Sequence, residues 1–236
     1  MKKLIIAVVF IFGTFGISAQ NEKPIPNQKV REELSMVKDR LMLDFYTSLW
    51  MNVPQGVKVR GFNEGFNFSW LWDFKTGKKG GPVSFGLGLG VSYYTFYSNA
   101  ILRKDTERDI MAFAILPEGF DYKRSRLNYT NINIPFEIRY RHKSGFKINA
   151  GIRLGIVADM RLAYKGNNLL DEGELKMNFI DKTVFSDYQK FSFEVTLKTG
   201  WKWFGVHAAY HVNKLFINDK GPKIYPVSVG ITLSLF

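Results

Sequence analysis

The sequence predicts an all-β fold, an eight-stranded antiparallel up-and-down transmembrane β-barrel. Three observations carry that reading. Eight stretches alternate apolar residues with small or polar ones, the side-chain period of a two-faced strand. The apolar faces of these stretches carry no Asp, Glu, Lys or Arg, although 23% of the chain is charged. The connections between them alternate between long and short, as surface loops and periplasmic turns do in outer-membrane barrels.

The N-terminus comes first. Lys2 and Lys3 precede an apolar run over residues 4–15, and Ile17-Ser18-Ala19 supplies a small residue before Gln20. This is the layout of a secretory signal peptide, residues 1–19, with cleavage after Ala19. Residues 20–40 are charged, contain Pro24 and Pro26, and space Val30, Leu34 and Val37 as a short helix would. They read as a periplasmic tail, leaving residues 41–236 as the barrel.

Strand one is expected over residues 41–53, with Leu43, Phe45, Leu49 and Met51 outward and Asp44, Tyr46, Ser48 and Asn52 inward. Strand two, 66–74, turns Phe66, Phe68, Trp70, Trp72 and Phe74 outward. Strand three, 82–98, is the clearest. Val83, Phe85, Leu87, Leu89 and Val91 fall on one face, and Ser84, Gly86, Gly88, Gly90 and Ser92 on the other. A long loop over 99–126 leads to strand four, 131–141, and a tight turn at 142–145 leads to strand five, 146–162. Residues 163–188 read as a second long loop. Strand six runs from 191 to 203. Strand seven begins after a turn near Gly205 and turns His207 and His211 inward, and strand eight covers 227–235. Trp72, Phe74, Tyr140, Phe146, Trp201 and Trp203 all fall beside the short turns, an aromatic girdle at one interface. Four residues fit poorly. Tyr94 and Phe96 point into the lumen. Pro135 sits mid-strand, where it cannot donate to the ladder and predicts a bulge or broken pairing. Phe236 is out of phase with its strand.

Composition narrows the function. Mean hydropathy is slightly negative, because outward and lumenal residues average out in a barrel. The chain has no cysteine, which excludes a lipoprotein and any disulfide. The formal charge is +12, but the basic residues are spread over loops, rims and lumen, without a nucleic-acid motif. Anionic outer-membrane lipid and lipopolysaccharide are the partners expected of such rims, and nucleic acid is not.

A resemblance follows from two strands. Asn131-Ile132-Asn133-Ile134-Pro135-Phe136-Glu137-Ile138-Arg139-Tyr140 and Ala150-Gly151-Ile152-Arg153-Leu154-Gly155 resemble the Ile-Pro strand and the glycine-bearing strand after it in a Bacteroidota-type outer-membrane β-barrel family, PorT-like. The resemblance implies an eight-stranded barrel, some relatives of which are associated with type IX secretion. The signal ending Ser18-Ala19-Gln20 is typical of the same proteins.

The inward face supplies Asp44, Asp73, Glu137, Asp159 and Glu194 against Arg139, Arg141, Lys147, Arg153, Arg161, Lys198 and Lys202. Eight strands enclose a lumen that side chains can fill, and buried charges must pair. Asp44, Glu137, Arg139, Arg153, Glu194 and Lys198 are therefore expected to form a lumenal charge network. The inward glycines of strand three leave room for its long side chains. No catalytic serine motif or zinc-binding histidine pair is present. His207 and His211 lie about 13 Å apart on one strand face, too far to chelate one metal together. No cofactor and no metal are expected. In loop 99–126, Ile110, Met111, Phe113, Ile115 and Leu116 form an apolar run. It either docks a partner, or folds over the barrel mouth or extends strands three and four above the membrane.

The function expected is a non-enzymatic, structural or interaction role in the outer membrane, with both termini periplasmic. An accessory subunit of a larger secretion or assembly complex fits it. The alternatives are a small surface enzyme or a narrow channel.

Overall fold

In the computed structural model the described residues are 40–76, 81–105, 107–167, 176–181 and 187–235. The expected signal peptide, nearly all of the N-terminal tail and Phe236 lie outside them. Eleven strands are described: β1 (Leu41–Met51), β2 (Glu64–Lys75), β3 (Val83–Tyr97), β4 (Ala100–Asp105), β5 (Ile110–Ile115), β6 (Tyr122–Arg141), β7 (Phe146–Asn167), β8 (Lys176–Asp181), β9 (Phe191–Trp201), β10 (Phe204–His211) and β11 (Tyr225–Leu235).

Eight of them close on themselves. The order β6-β3-β2-β1-β11-β10-β9-β7 returns to β6 through the β6–β7 ladder. Every neighbour is antiparallel, and the closing pair of first and last strands runs in register from Leu41↔Leu235 to Met51↔Tyr225. The fold is thus a closed eight-stranded antiparallel barrel with no sheet edge left in the ring.

Burial follows the alternation. β2 reads exposed-buried from Glu64 to Trp72, with Phe66, Trp70 and Trp72 outside and Asn67, Ser69 and Leu71 inside. The outer wall carries Leu89 (53% exposed), Ile134 (49%), Leu154 (53%) and Val229 (57%) among many others. A continuous apolar belt of this size is untenable in water and natural in hydrocarbon. Trp72, Tyr140, Trp201 and Trp203 ring its short-turn end.

Several boundaries differ from the sequence expectation. Residues 99–126 are not a loop. β4 and β5 form a hairpin, and β6 starts at Tyr122, well before residue 131. The hairpin escapes a period-2 reading because Ala100, Ile101 and Leu102 are all buried, so neither face is polar. Similarly β7 continues to Asn167 and pairs with β8 inside the expected second loop. β1 stops at Met51, and Asn52 is exposed with φ +60° rather than lumenal. The β9–β10 turn falls at Lys202 and Trp203, with Lys202 at φ +51°, so Lys202 is a turn residue and Gly205 lies within β10.

A β-bulge makes the largest correction. Asn131 pairs with Val157 but Thr130 with Asp159, so Ala158 is an extra residue in β7. One extra residue flips every later side chain to the other face. Met160 and Leu162, expected outside, therefore point inward and are 4% and 2% exposed. Asp159 and Arg161, expected in the lumen, face outward and pair with each other at 2.6 Å. The charge-free outer face holds only below the bulge.

At Pro135 the β3–β6 ladder lapses between Leu87↔Phe136 and Gly90↔Asn133 without a change of register. The missing N–H breaks that pairing locally, while the β6–β7 ladder runs through Pro135↔Arg153. The inward glycines sit where neighbours pass close. A Cβ on Gly86 would meet the Arg139 guanidinium at 2.7 Å, and one on Gly88 would meet the Trp70 carbonyl at 2.0 Å. A side chain can move and a ladder carbonyl cannot. Gly88→Ala is therefore expected to destabilise the barrel by about 1–3 kcal/mol, and Gly86→Ala by less. Urea unfolding in detergent measures both.

Candidate functional site

The lumen is the most unusual chemistry in the chain, and it is layered. From the short-turn end, charges of alternating sign form one connected path. Arg141 contacts Asp73 at 2.8 Å, and Asp73 contacts Arg139 at 3.4 Å. Arg139 reaches Glu137 at 2.9 Å, and Lys198 sits 3.1 Å from Glu137 and 3.2 Å from Asp44. Arg153 then bridges Asp44 at 2.6 Å and Glu194 at 3.4 Å. The structure thus brings Asp44, Glu137, Arg139, Arg153, Glu194 and Lys198 into one network, each at most 3% exposed.

The local fold dictates who meets whom. Glu137 and Arg139 are two apart on β6 and share its inward face, so their heads meet without crossing the lumen. Arg153 is opposite Glu194 in the β7–β9 register, and Asp44 reaches across from β1. Neutral partners complete the carboxylates. The Thr232 hydroxyl donates to Asp44 at 2.6 Å, and the Asn67 amide donates to the same carboxylate at 3.0 Å. Tyr94 donates its hydroxyl to Glu194 at 2.8 Å, and His211 Nε2 lies 3.3 Å from the same carboxylate. Buried charges persist only with such complete pairing.

A family profile described as an outer membrane protein beta-barrel domain matches residues 42–218. The chain belongs to this family. No curated protein and no solved structure matches it in the same comparisons. The family match covers most of the barrel, and with the apolar belt it puts this protein in the outer membrane.

Above Glu194 this outer-membrane barrel changes character. Tyr94 and Phe96, anomalous in the sequence, are fully buried and begin an apolar cap. Tyr94 stacks on Tyr129 at 4.5 Å, and Phe96 on Trp50 at 4.8 Å. Leu127, Val157, Met160 and Leu162 join from β6 and β7, and Leu215, Phe216 and Ile224 from the β10–β11 connection. The β4–β5 hairpin closes over them with Ile101, Leu102 and Met111. Of the two readings of the run Ile110–Leu116, folding over the barrel mouth is the one that Met111 and Leu116 bear out, whereas the contribution of β7 is hidden because the bulge inverts it. The inward pair Tyr94 and Phe96 is a second visible signal.

The five candidate docking residues separate. Met111 (2% exposed) and Leu116 (8%) belong to the cap, Ile115 is 47% exposed, and Ile110 and Phe113 are half-buried. An open cavity of about 400 Å³ lies beside Ile110 and Phe113, walled also by Pro54, Val57 and Pro222. His207 and His211 are enclosed, the first 3.5 Å from Arg153 and the second 3.3 Å from the Tyr129 hydroxyl. No cluster of three metal-ligating side chains occurs among the described residues.

The hairpin is clamped from outside. Asp109, at its turn, contacts Lys104 at 2.7 Å and also Lys220, and Lys104 contacts Asp187 at 3.1 Å. Hydrogen bonds from the two lysines hold the Asp109 carboxyl down to about 2. A carboxyl lowered on folding stabilises above its unfolded pKa and loses that contribution as pH falls through its folded value. The clamp is therefore expected to persist at pH 4 and to open only near pH 2. Titration of the Asp109 carboxyl by NMR checks this.

Proposed function

We propose that this outer-membrane protein is a closed, non-conducting barrel with a structural or docking role and no enzymatic activity. One observation supports it above others: the charge path fills the lower lumen and the aromatic cap seals the upper. His207 and His211 lie inside that seal, and His142 lies in the exposed β6–β7 turn. The reading places both termini in the periplasm and the long connections outside the cell, since short turns mark the periplasmic side of such barrels. It also includes export by the signal peptide, contact with outer-membrane lipid and lipopolysaccharide, and PorT-like membership. An accessory position in a larger secretion or assembly complex is part of the proposal. Ile115 and the cavity beside Ile110 and Phe113 are its candidate docking surface, since Met111 and Leu116 are occupied in the cap.

Planar-bilayer recording tests the proposal. The barrel should show no steady porin-sized conductance at either polarity. Reproducible openings would mean that the lumen is a channel.

A further inference from the structure

The outer wall above the bulge carries the clearest unassigned feature. Because Met160, Leu162 and Tyr164 point into the cap, Arg161 and Lys165 point outward. On β6, Leu127 and Tyr129 are in the cap, so Arg124, Arg126 and Asn128 also face out. The register sets these into a lattice. Thr95 lies beside Asn128, and Asn128 beside Arg161. Tyr97 lies beside Arg126, and Arg124 directly opposite Lys165. Four cations thus share one surface, and the carboxylate among them is Asp159, already paired with Arg161.

Two details set this surface apart from ordinary solvated charge. Like charges directly opposite each other destabilise a sheet, yet Arg124 faces Lys165, and among the described residues neither of them nor Arg126 has a carboxylate partner. Arg126 Nε, a donor, is buried without a hydrogen-bond partner among the described residues. The surface is a basic recess with an unpartnered N–H on Arg126, a donor that an anion would complete.

Its height names the source of the anion. Along β6, Ile138, Phe136, Ile134 and Ile132 are the exposed apolar wall. Arg126 lies beyond Ile132 by about 15 Å along the barrel axis, taking ~3.3 Å per residue and a ~40° tilt. That is the headgroup level, not the hydrocarbon. We infer that Arg124, Arg126 and Lys165 bind the phosphate of an outer-leaflet glycolipid of the lipid A type. Arginine forks suit phosphate, and such charge-assisted bonds are the strong ones. The inference rests on the proposed orientation, with this end of the barrel at the cell surface.

The test uses the full chain folded in dodecyl maltoside micelles doped with lipid A, with bound lipid counted by native mass spectrometry. A triple variant, Arg124→Gln with Arg126→Gln and Lys165→Gln, is expected to bind bis-phosphorylated lipid A about tenfold more weakly or worse. Dephosphorylated lipid A should bind the unaltered protein as weakly as the variant binds the phosphorylated form. Because the variant removes facing like charges, its unfolding midpoint should not fall, which separates lost binding from lost folding. Equal lipid A affinity in variant and parent overturns the site, and so does tight binding of the dephosphorylated lipid. Displacement by millimolar inorganic phosphate alone would mean a free-anion site and would also overturn it. Protease shaving of whole cells reads the orientation separately: cleavage in the long connections supports the surface placement, and full protection removes the glycolipid as the source.

Discussion

Replacing Asp44 by leucine is expected to lower the stability of the barrel by about 3–5 kcal/mol, the cost of leaving buried charge unpaired. Asp44 is the hinge of the charge path. Arg153 and Lys198 both end on it, at 2.6 and 3.2 Å, and Thr232 and Asn67 donate to it. Lys198 would keep Glu137, and Arg153 would keep Glu194 at the longer distance of 3.4 Å. Asp44→Asn tests the charge alone, since an amide can still accept from Thr232. Glu194→Leu should cost less, because Arg153 retains its shorter contact. Urea unfolding in liposomes, followed by tryptophan fluorescence, measures all three. An unchanged midpoint for Asp44→Leu would mean that water hydrates the cations and the lumen is wet.

Phe96→Ala is expected to cost a similar amount, about 3–5 kcal/mol, by a different mechanism. Phe96 is fully buried, stacked on Trp50 and 6.0 Å from Tyr129. Its removal leaves a void that three strands and the hairpin cannot close together. The two losses should add when combined, since the sites share no partner and the cap and the charge path are separate layers. A smaller combined loss would show that the layers are coupled through Tyr94, which touches both.

Much of this was legible in the sequence because a barrel wall is a strict two-face pattern. Trp70, Trp72 and Leu89 sit outside and Ser69, Ser92 and Glu137 inside for one reason, the lipid on one side and a filled lumen on the other. The inward carboxylates and bases could be named because alternation alone assigns them a face. The pattern fails where that reason ends. Above the apolar belt no hydrocarbon enforces the outer face, so one extra residue at Ala158 inverts β7 unannounced, moving Asp159 and Arg161 outward and Met160 and Leu162 inward. In the β4–β5 hairpin both faces are covered or mixed, and Ala100–Asp105 therefore carries no period-2 signature. Lys202 was misplaced for a smaller reason: a two-residue turn between Trp201 and Phe204 is too short to interrupt the alternation, and Gly205 points to a turn further on. The partners of Glu194 were only half visible, since Tyr94 and His211 come from strands far apart in sequence.

Cysteine accessibility tests most directly whether the lumen is filled and closed. The chain has no cysteine, so each introduced thiol reports one position. Ser92→Cys places it in the lumen, where Ser92 is fully buried and bonded to Asn67 and Asn133. Glu118→Cys supplies an exposed control. With a membrane-impermeant maleimide added to both sides of proteoliposomes, the control should label within minutes, and the lumenal thiol only after denaturation. Labelling of Ser92→Cys in the folded barrel at the rate of the control would contradict a closed lumen.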